Sequence, residues 1–442
     1  MTETNARIDQ GEGIMKVLAR MGIPAALVTC AIVIGPGAAR GQNVEECAWP
    51  IELSPEGFGN ATSPDTAARY WLMPFANYDT MTLEGTYPHA RFFSFVAYQT
   101  NSEKTPTGVI DGDLHDAQIT PDPGSVNPFV EPGAASGTYT VVISRAGQPP
   151  GNTITVSSDF AWLLLRMYVP DADPSVGGHN LMGGVPLPTV SVTRNGASQQ
   201  LQPCSRVNRL TDVSALLQGL FPVDLTVSEG TPTSDRLWFA APIAPPPSLL
   251  PNPENKYLGM FPGDYQPGRI IVIHGKAPGF PDTFHGSSIA TPARGFRTVD
   301  LRYWSICEAD LALPVPTVGC VTDLTADVVG GYYTIVISDD LLRPAWLRPN
   351  ISWLPWGDEQ YPKMLFFRNM LPSPDFHHSV QDAVAADPPC TFALVLTGTL
   401  DRSSVDEAGK CAQEVMGDYY PVATWCDKST FVAGGVRACL KE

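Results

Sequence analysis

Apolar and polar residues alternate with a period of two through much of this chain. In GTYTVVISR, residues 137–145, Tyr139, Val141 and Ile143 fall on one face of a strand, while Thr138, Thr140 and Ser144 fall on the other. GYYTIVISD, residues 331–339, carries nearly the same pattern. FFSFVAY and AWLLL are almost continuously apolar, as expected of strands covered on both faces. Asn195-Gly196, set between alternating segments, predicts a tight hairpin. Helical signals are confined to three short stretches: 212–220, 374–386 behind Ser373, and 405–416. The pattern predicts an all-β chain with few short helices.

The two opening strands belong to a longer self-similarity. SPDTAARYWLMPF from Ser63 is matched to TPTSDRLWFAAPI from Thr231, aligning Pro64 with Pro232, Arg69 with Arg236 and Trp71 with Trp238. LEGTYP from Leu83 matches IHGKAP from Ile273. ARFFSFVAY from Ala90 matches LRYWSICEA from Leu301, pairing Arg91 with Arg302 and Ser94 with Ser305. LLLRMYVP from Leu163 matches LFFRNMLP from Leu365, pairing Arg166 with Arg368 and Pro170 with Pro372. Matches that keep one order over a domain-length, uneven period indicate a duplicated domain rather than a solenoid. The expected architecture is two tandem jelly-roll-like β-sandwiches, at 62–204 and 231–400, joined by a helix and loop at 205–230. The second sandwich is approached through a proline-rich stretch, 241–268, and followed by a cysteine-rich C-terminal segment, 401–442.

MKVLARMGIPAALVTCAIVIGPGAARGQ has a basic start, an apolar run from Met21 to Ile34 and small residues before Gln42, which predicts a signal peptide over 1–41. The apolar run is shorter than the 20 or so residues a membrane span needs, so no span is expected in the mature chain. Eight of the nine cysteines lie beyond that segment, an even number that in an exported chain reads as disulfides. Cys307 and Cys320, close in sequence, are expected to pair across a hairpin-sized connection, and four more cysteines fall in residues 390–442 as a C-terminal staple. Net charge is −17, and four bases against three acids precede Gln42, so the mature chain is slightly more acidic still. That balance argues against nucleic acid as a partner. Secretion, a periplasmic location or display at the cell surface follows.

The motifs RYWSIC, YYTIVIS, NISWLPWG and FFRNMLP, in this order, resemble exported bacterial proteins that carry the domain of unknown function numbered twelve-fourteen, often paired with the one numbered twelve-fifty-four. The first copy keeps the strands but has SSDFAWLLLRMY where the family pattern has Trp-Leu-Pro. The resemblance implies tandem sandwich domains and no established chemistry.

Three constellations are candidates for function. In VIDGDLHDAQITPDPG, Asp111, Asp113 and Asp116 offer oxygen ligands for Ca²⁺, the one cofactor the sequence suggests; the competing reading is a hairpin loop whose aspartates satisfy turn amides. In NISWLPWGDEQYP, Trp353, Trp356, Asp358, Glu359 and Tyr361 combine aromatic faces with carboxylates, as a sugar-binding surface does and as ordinary core and turn packing also does. Asp375, His378 and Asp382 share one face of the stretch at 374–386, suiting either a metal or a capped, solvated helix start. Arg166 and Arg368 interrupt apolar strands at matching places and are assigned structural roles. No GxSxG, SxxK, HExxH or phosphate-cradling glycine loop occurs. The expectation is an exported, non-catalytic protein binding a small-molecule, glycan or protein ligand. The alternatives are a glycan-acting hydrolase or lyase using dispersed carboxylates, and a structural assembly subunit.

Overall fold

The structure is a computed structural model. It describes residues 46–440, apart from 57–59, 103, 132, 135–136, 146–150, 171–181, 209–215, 217–225, 230–231, 233, 244–249 and 396. The predicted signal segment and nearly all of the predicted helix at 212–220 lie outside the described residues.

Chain alternation builds the first sandwich from β1 (Ile51–Leu53), β2 (Ala68–Ala76), β3 (Thr80–Thr86), β4 (Ala90–Thr100) and β5 (Pro106–His115). It continues with β6 (Thr138–Ser144), β7 (Thr153–Thr155), β8 (Phe160–Pro170), β9 (Thr189–Arg194) and β10 (Ala197–Leu201). Its two sheets run β1-β2-β8-β4-β5 and β10-β9-β3-β6-β7. Three short strands follow, β11 (Thr226–Ser228), β12 (Arg236–Leu237) and β13 (Ala241–Ile243). The second sandwich uses β14 (Asn255–Met260), β15 (Arg269–Lys276), β16 (Leu301–Asp310), β17 (Thr317–Thr322), β18 (Val328–Val329) and β19 (Tyr332–Ser338). Its remaining strands are β20 (Ser352–Pro355) and β21 (Lys363–Pro372), then, past β22 (Thr391–Ala393) and β23 (Thr397–Thr399), β24 (Val422–Asp427). Helices α1 (Val380–Ala385), α2 (Arg402–Met416) and α3 (Lys428–Leu440) complete the described chain. No helix among the described residues is long and apolar enough to cross a membrane.

The two sandwiches have one topology. Strand order β2-β8-β4-β5 recurs as β14-β21-β16-β17, and β9-β3-β6 recurs as β24-β15-β19. The parallel pairing of β6 with β7 recurs as that of β19 with β20. Register agrees residue by residue: Ser94 faces Arg166 as Ser305 faces Arg368, and Gly85 faces Tyr139 as Gly275 faces Tyr333. Val169 and Leu371, each just before a proline, share a positive φ.

One sequence match is corrected. The counterpart of β2 is β14, not the segment from Thr231, because Tyr70 lies opposite Arg166 and Tyr257 lies opposite Arg368. Pro64, Asp65 and Tyr70 therefore correspond to Pro251, Asn252 and Tyr257. The Arg236–Leu237 strand instead sits at the edge of the other sheet, against β24. The sequence match rests on shared proline, arginine and tryptophan, whereas register is set by the arginine each strand faces.

Each sandwich encloses its own core, around Phe93, Phe95, Val141 and Leu165 in the first and Trp304, Ile335, Phe367 and Trp425 in the second. The C-terminal segment is stapled by Cys390–Cys411 and Cys426–Cys439, and its strand β24 completes a sheet of the second sandwich. Cys47–Cys204 joins the two ends of the first sandwich, and Cys307–Cys320 links directly opposed residues of β16 and β17, as the sequence predicts. The Asn195-Gly196 hairpin forms between β9 and β10 with both residues at positive φ, which the left-handed turn requires. Helix α1 begins at Ser379 rather than Ser373, through a capping box with Asp382.

In both sandwiches a tyrosine ring lies across the glycine opposite it. A Cβ on Gly275 would meet the Tyr333 hydroxyl at 2.7 Å and the Tyr420 carbonyl at 3.2 Å. Gly275→Ala is therefore expected to destabilise the protein by about 1–3 kcal/mol, the usual cost of overpacking. Urea denaturation measures this; an unchanged midpoint would show that the ring moves aside freely.

Candidate functional site

The sandwiches meet through the outer faces of their β2-β8-β4-β5 and β14-β21-β16-β17 sheets, where Ala68, Phe92 and Tyr168 pack with Phe284, Tyr303 and Met370. Buried charges cross this layer reciprocally. Arg91, near the start of β4, donates to Asp323 just after β17 at 2.6 Å. Arg302, at the matching place on β16, donates to Asp116 just after β5 at 2.9 Å. Each aspartate is fixed by its own backbone N–H, which donates to the carbonyl of Phe93 or of Trp304 at 3.0 Å. Burial opposes the Asp116 charge, but Arg302 and His115 together outweigh it and hold the carboxyl below its usual range. Around Asp323 burial prevails over Arg91, and the carboxyl is pushed up to about 6.

A cross-strand row of Tyr, Arg and Ser lies on each facing sheet: Tyr70, Arg166 and Ser94 on the first, Tyr257, Arg368 and Ser305 on the second. Asp65, in the loop before β2, reaches the second row. Its buried carboxylate accepts from Arg368, from the Ser305 hydroxyl at 2.7 Å and from the Tyr303 hydroxyl at 2.9 Å. The loop before β14 reaches the first row in return, where Arg166 Nη2 donates to the Leu250 and Pro251 carbonyls at 2.7 and 3.1 Å. Arg166 also donates to the Tyr98 hydroxyl, which itself donates to the Pro251 carbonyl at 2.7 Å. Arg368 forms an ion pair with Asp65, whereas Arg166 ties β8 to backbone carbonyls of the loop before β14.

A second group of buried acids lies at one end of the second core. Glu308 is fully buried on β16 and neither carboxylate oxygen has a hydrogen-bond partner. Burial drives its carboxyl far above the usual range, against the pull of Lys363. Lys363, also fully buried, pairs with Asp310 at 2.8 Å. Glu229, which accepts from the Gly263 N–H at 2.7 Å, is pushed up to about 8 by burial, against that hydrogen bond and Arg402.

A concavity among the described residues combines several aromatic rings with polar side chains. Where β9 turns into β10, β24 instead continues into α3, held down by Cys426–Cys439. Beneath α3 is a cavity of about 200 Å³ lined by His274, Tyr332, Trp346, Arg348, Asn350 and Phe431, among others. The His274 and Tyr332 rings stack with centroids 5.4 Å apart. Arg348 supplies a guanidinium, and among the described residues no carboxylate lines the cavity. The counterparts of His274 and Tyr332 in the first sandwich are Glu84 and Thr138, so this stacked pair is not repeated there.

The residues singled out from sequence are distributed otherwise. Asp111 accepts from Gln99 at 2.8 Å and from the Ser157 N–H at 2.9 Å, Asp113 stays half-buried on β5, and Asp116 is committed to Arg302. The structure does not bring the three to one point. Among the described residues the only acid, cysteine and histidine cluster of ligand-like spacing is Asp65 with Cys307 and Cys320, and both cysteines are in a disulfide. Trp356 is buried against Tyr265 and Trp425, and Trp353, half-buried, donates to the Ser338 hydroxyl at 2.9 Å. Asp358 and Glu359 are exposed and Tyr361 is half-buried, so the five do not form one aromatic platform. Asp382 is occupied by the cap of α1, and His378 stacks on Tyr419. Sequence reasoning missed Asp65 and Asp323, whose only signal is position in a loop preceding or following a matched strand.

No family model matches the chain, and no curated protein matches it. Among solved structures, an uncharacterized protein from Burkholderia cenocepacia aligns with TM-score 0.44 at 14% identity, covering 76% of this chain and 82% of that one. A protein from Vibrio parahaemolyticus aligns with TM-score 0.35 at 10% identity, covering 71% of this chain and 86% of that one.

Two outcomes are expected from the charge arrangement. Arg302→Met strands Asp116 in the interface and is expected to cost about 3–5 kcal/mol, while Arg302→Met with Asp116→Leu recovers most of that loss. Equal midpoints for wild type and the single variant in urea would refute the buried pair. Glu308 favours the fold while both states are protonated, below about pH 4.5. As pH rises the unfolded chain ionises first, so this stability is lost progressively up to the raised native value. Glu308→Gln should match wild type near pH 4 and exceed it at pH 8; parallel stability curves across that range would contradict the assignment.

Proposed function

We propose that the protein is an exported, non-catalytic binding protein, and that the cavity beneath α3 takes a small ligand with a flat apolar face and a hydrogen-bonding edge. The carrying observation is the lining of that cavity, where stacked His274 and Tyr332 and the Trp346 ring stand beside the Arg348 guanidinium and the Asn350 amide. Aromatic rings cover the apolar face of a sugar or similar ring, while guanidinium and amide meet oxygens on its edge. Lacking carboxylates, this lining favours neutral or acidic ligands over cations. Four disulfides support a location outside the reducing cytoplasm. A glycan hydrolase needs two carboxylates facing one another across a cleft, and Asp116, tied to Arg302, and Asp358 and Glu359, exposed on a turn, give this no support.

Titration of the protein with neutral monosaccharides and with hexuronic acids, followed by tryptophan fluorescence, tests this reading. A saturable change is expected for at least one of them, weakened tenfold or more in Trp346→Ala without loss of melting temperature. No saturable change with any of them, or equal affinity in Trp346→Ala, would overturn it.

A further inference from the structure

The two Tyr-Arg-Ser rows differ in what meets the arginine from the loop before β2 or β14. In the second row the Asp65 carboxylate neutralises Arg368 and collects hydrogen bonds from Ser305 and Tyr303. The residue at the matching place for the first row is Asn252, which follows Pro251 as Asp65 follows Pro64 and closes the same turn, Asn255 N–H to Asn252 carbonyl at 3.2 Å against Ala68 N–H to Asp65 carbonyl at 3.0 Å. An amide brings no charge. Three buried donors around this row therefore meet no acceptor among the described residues: Arg166 Nη1, the Ser94 hydroxyl and Asn252 Nδ2. All three residues are at most 5% exposed, so an unmet donor here is costly. Ser94 lies directly opposite Arg166 on the ladder, and the Leu250 and Pro251 carbonyls held by Arg166 bring Asn252 beside them. Tyr70, Asp113, His115 and Tyr257 around the row are half-buried, giving it a solvent edge.

We propose that the first row is a binding site for a small monocarboxylate, whose oxygens take the place beside Arg166 that the Asp65 side chain takes beside Arg368. The second row supplies the template within the same molecule: guanidinium and serine hydroxyl converge on one carboxylate oxygen. Phe92 stands where Tyr303 stands in the second row, so the bound acid has one donor fewer and an apolar neighbour for a short alkyl group. Glu254, buried and without a hydrogen-bond partner on either carboxylate oxygen, is the nearest competing acid. Burial pushes its carboxyl up to about 7, against the pull of Arg166, which weakens it as a counter-ion below neutral pH. This site is separate from the cavity beneath α3 and does not depend on that reading.

Equilibrium dialysis of the full chain against radiolabelled acetate at pH 6, with chloride setting the ionic strength, tests the proposal. One acetate per chain is expected, with a saturable rise in melting temperature of about 2 °C or more. Asn252→Asp places an in-chain carboxylate where the acid is proposed to sit. It should lower acetate affinity at least tenfold and keep or raise the melting temperature. Three results would overturn the proposal: no saturable uptake by wild type, equal uptake by Asn252→Asp, or a lowered melting temperature in that variant, which would mean that Glu254 already serves as the counter-ion.

Discussion

Arg91 and Asp323 lose nearly all contact with water where the sandwiches meet, and Arg302 and Asp116 do the same at the matching place. A charge taken out of water costs several kcal/mol unless an opposite charge meets it in good geometry. Neither sandwich can supply that partner from its own strands, because each arginine finds its aspartate on the other copy. Once both pairs are made, the facing sheets are fixed in register, and the loops before β2 and β14 are drawn across the boundary onto Arg368 and Arg166. The polar layer thus specifies how two otherwise independent cores are joined, more than it adds stability.

The division of labour between the copies follows from small differences on that shared frame. Asp65 against Asn252 decides which row is neutralised by the protein itself. The chain after β9 turns back as a hairpin, while the chain after β24 becomes a stapled helix that roofs the cavity beside His274 and Tyr332. Duplication supplied two equivalent scaffolds, and the changes lie in loops and strand ends, where substitution leaves the cores untouched.

Much of this was legible in the chain. Alternation at 137–145 and 331–339, the repeated Arg-Ser spacing at 91–94 and 302–305, and the Asn-Gly turn state the strands, the duplication and a hairpin directly. Cys307 and Cys320 were close enough in sequence to name as a pair. What stayed hidden depends on contacts between the copies. Asp116 reads as one of several loop aspartates until Arg302, 186 residues away, is seen to hold it. The β2 match went astray because tryptophan and proline identities outweighed the tyrosine that faces the arginine. Trp356 reads equally well as a platform or as core, and only packing against Trp425 decides between them. The cavity is assembled from β15, β19, the loop before β20 and α3, elements with no common sequence signal.

Strand β24 enters between β12 and β15, yet it is made almost last. Until residues 422–427 emerge during synthesis, the N–H and C=O groups along that side of β15 have no strand to pair with, although everything on the other side of the sheet is already present. The first sandwich, by contrast, holds all its strands by residue 201, but its Arg91 and Asp116 must await partners made more than a hundred residues later. The second sandwich is therefore closed only by the last part of the chain to be synthesised, long after the first has all its strands.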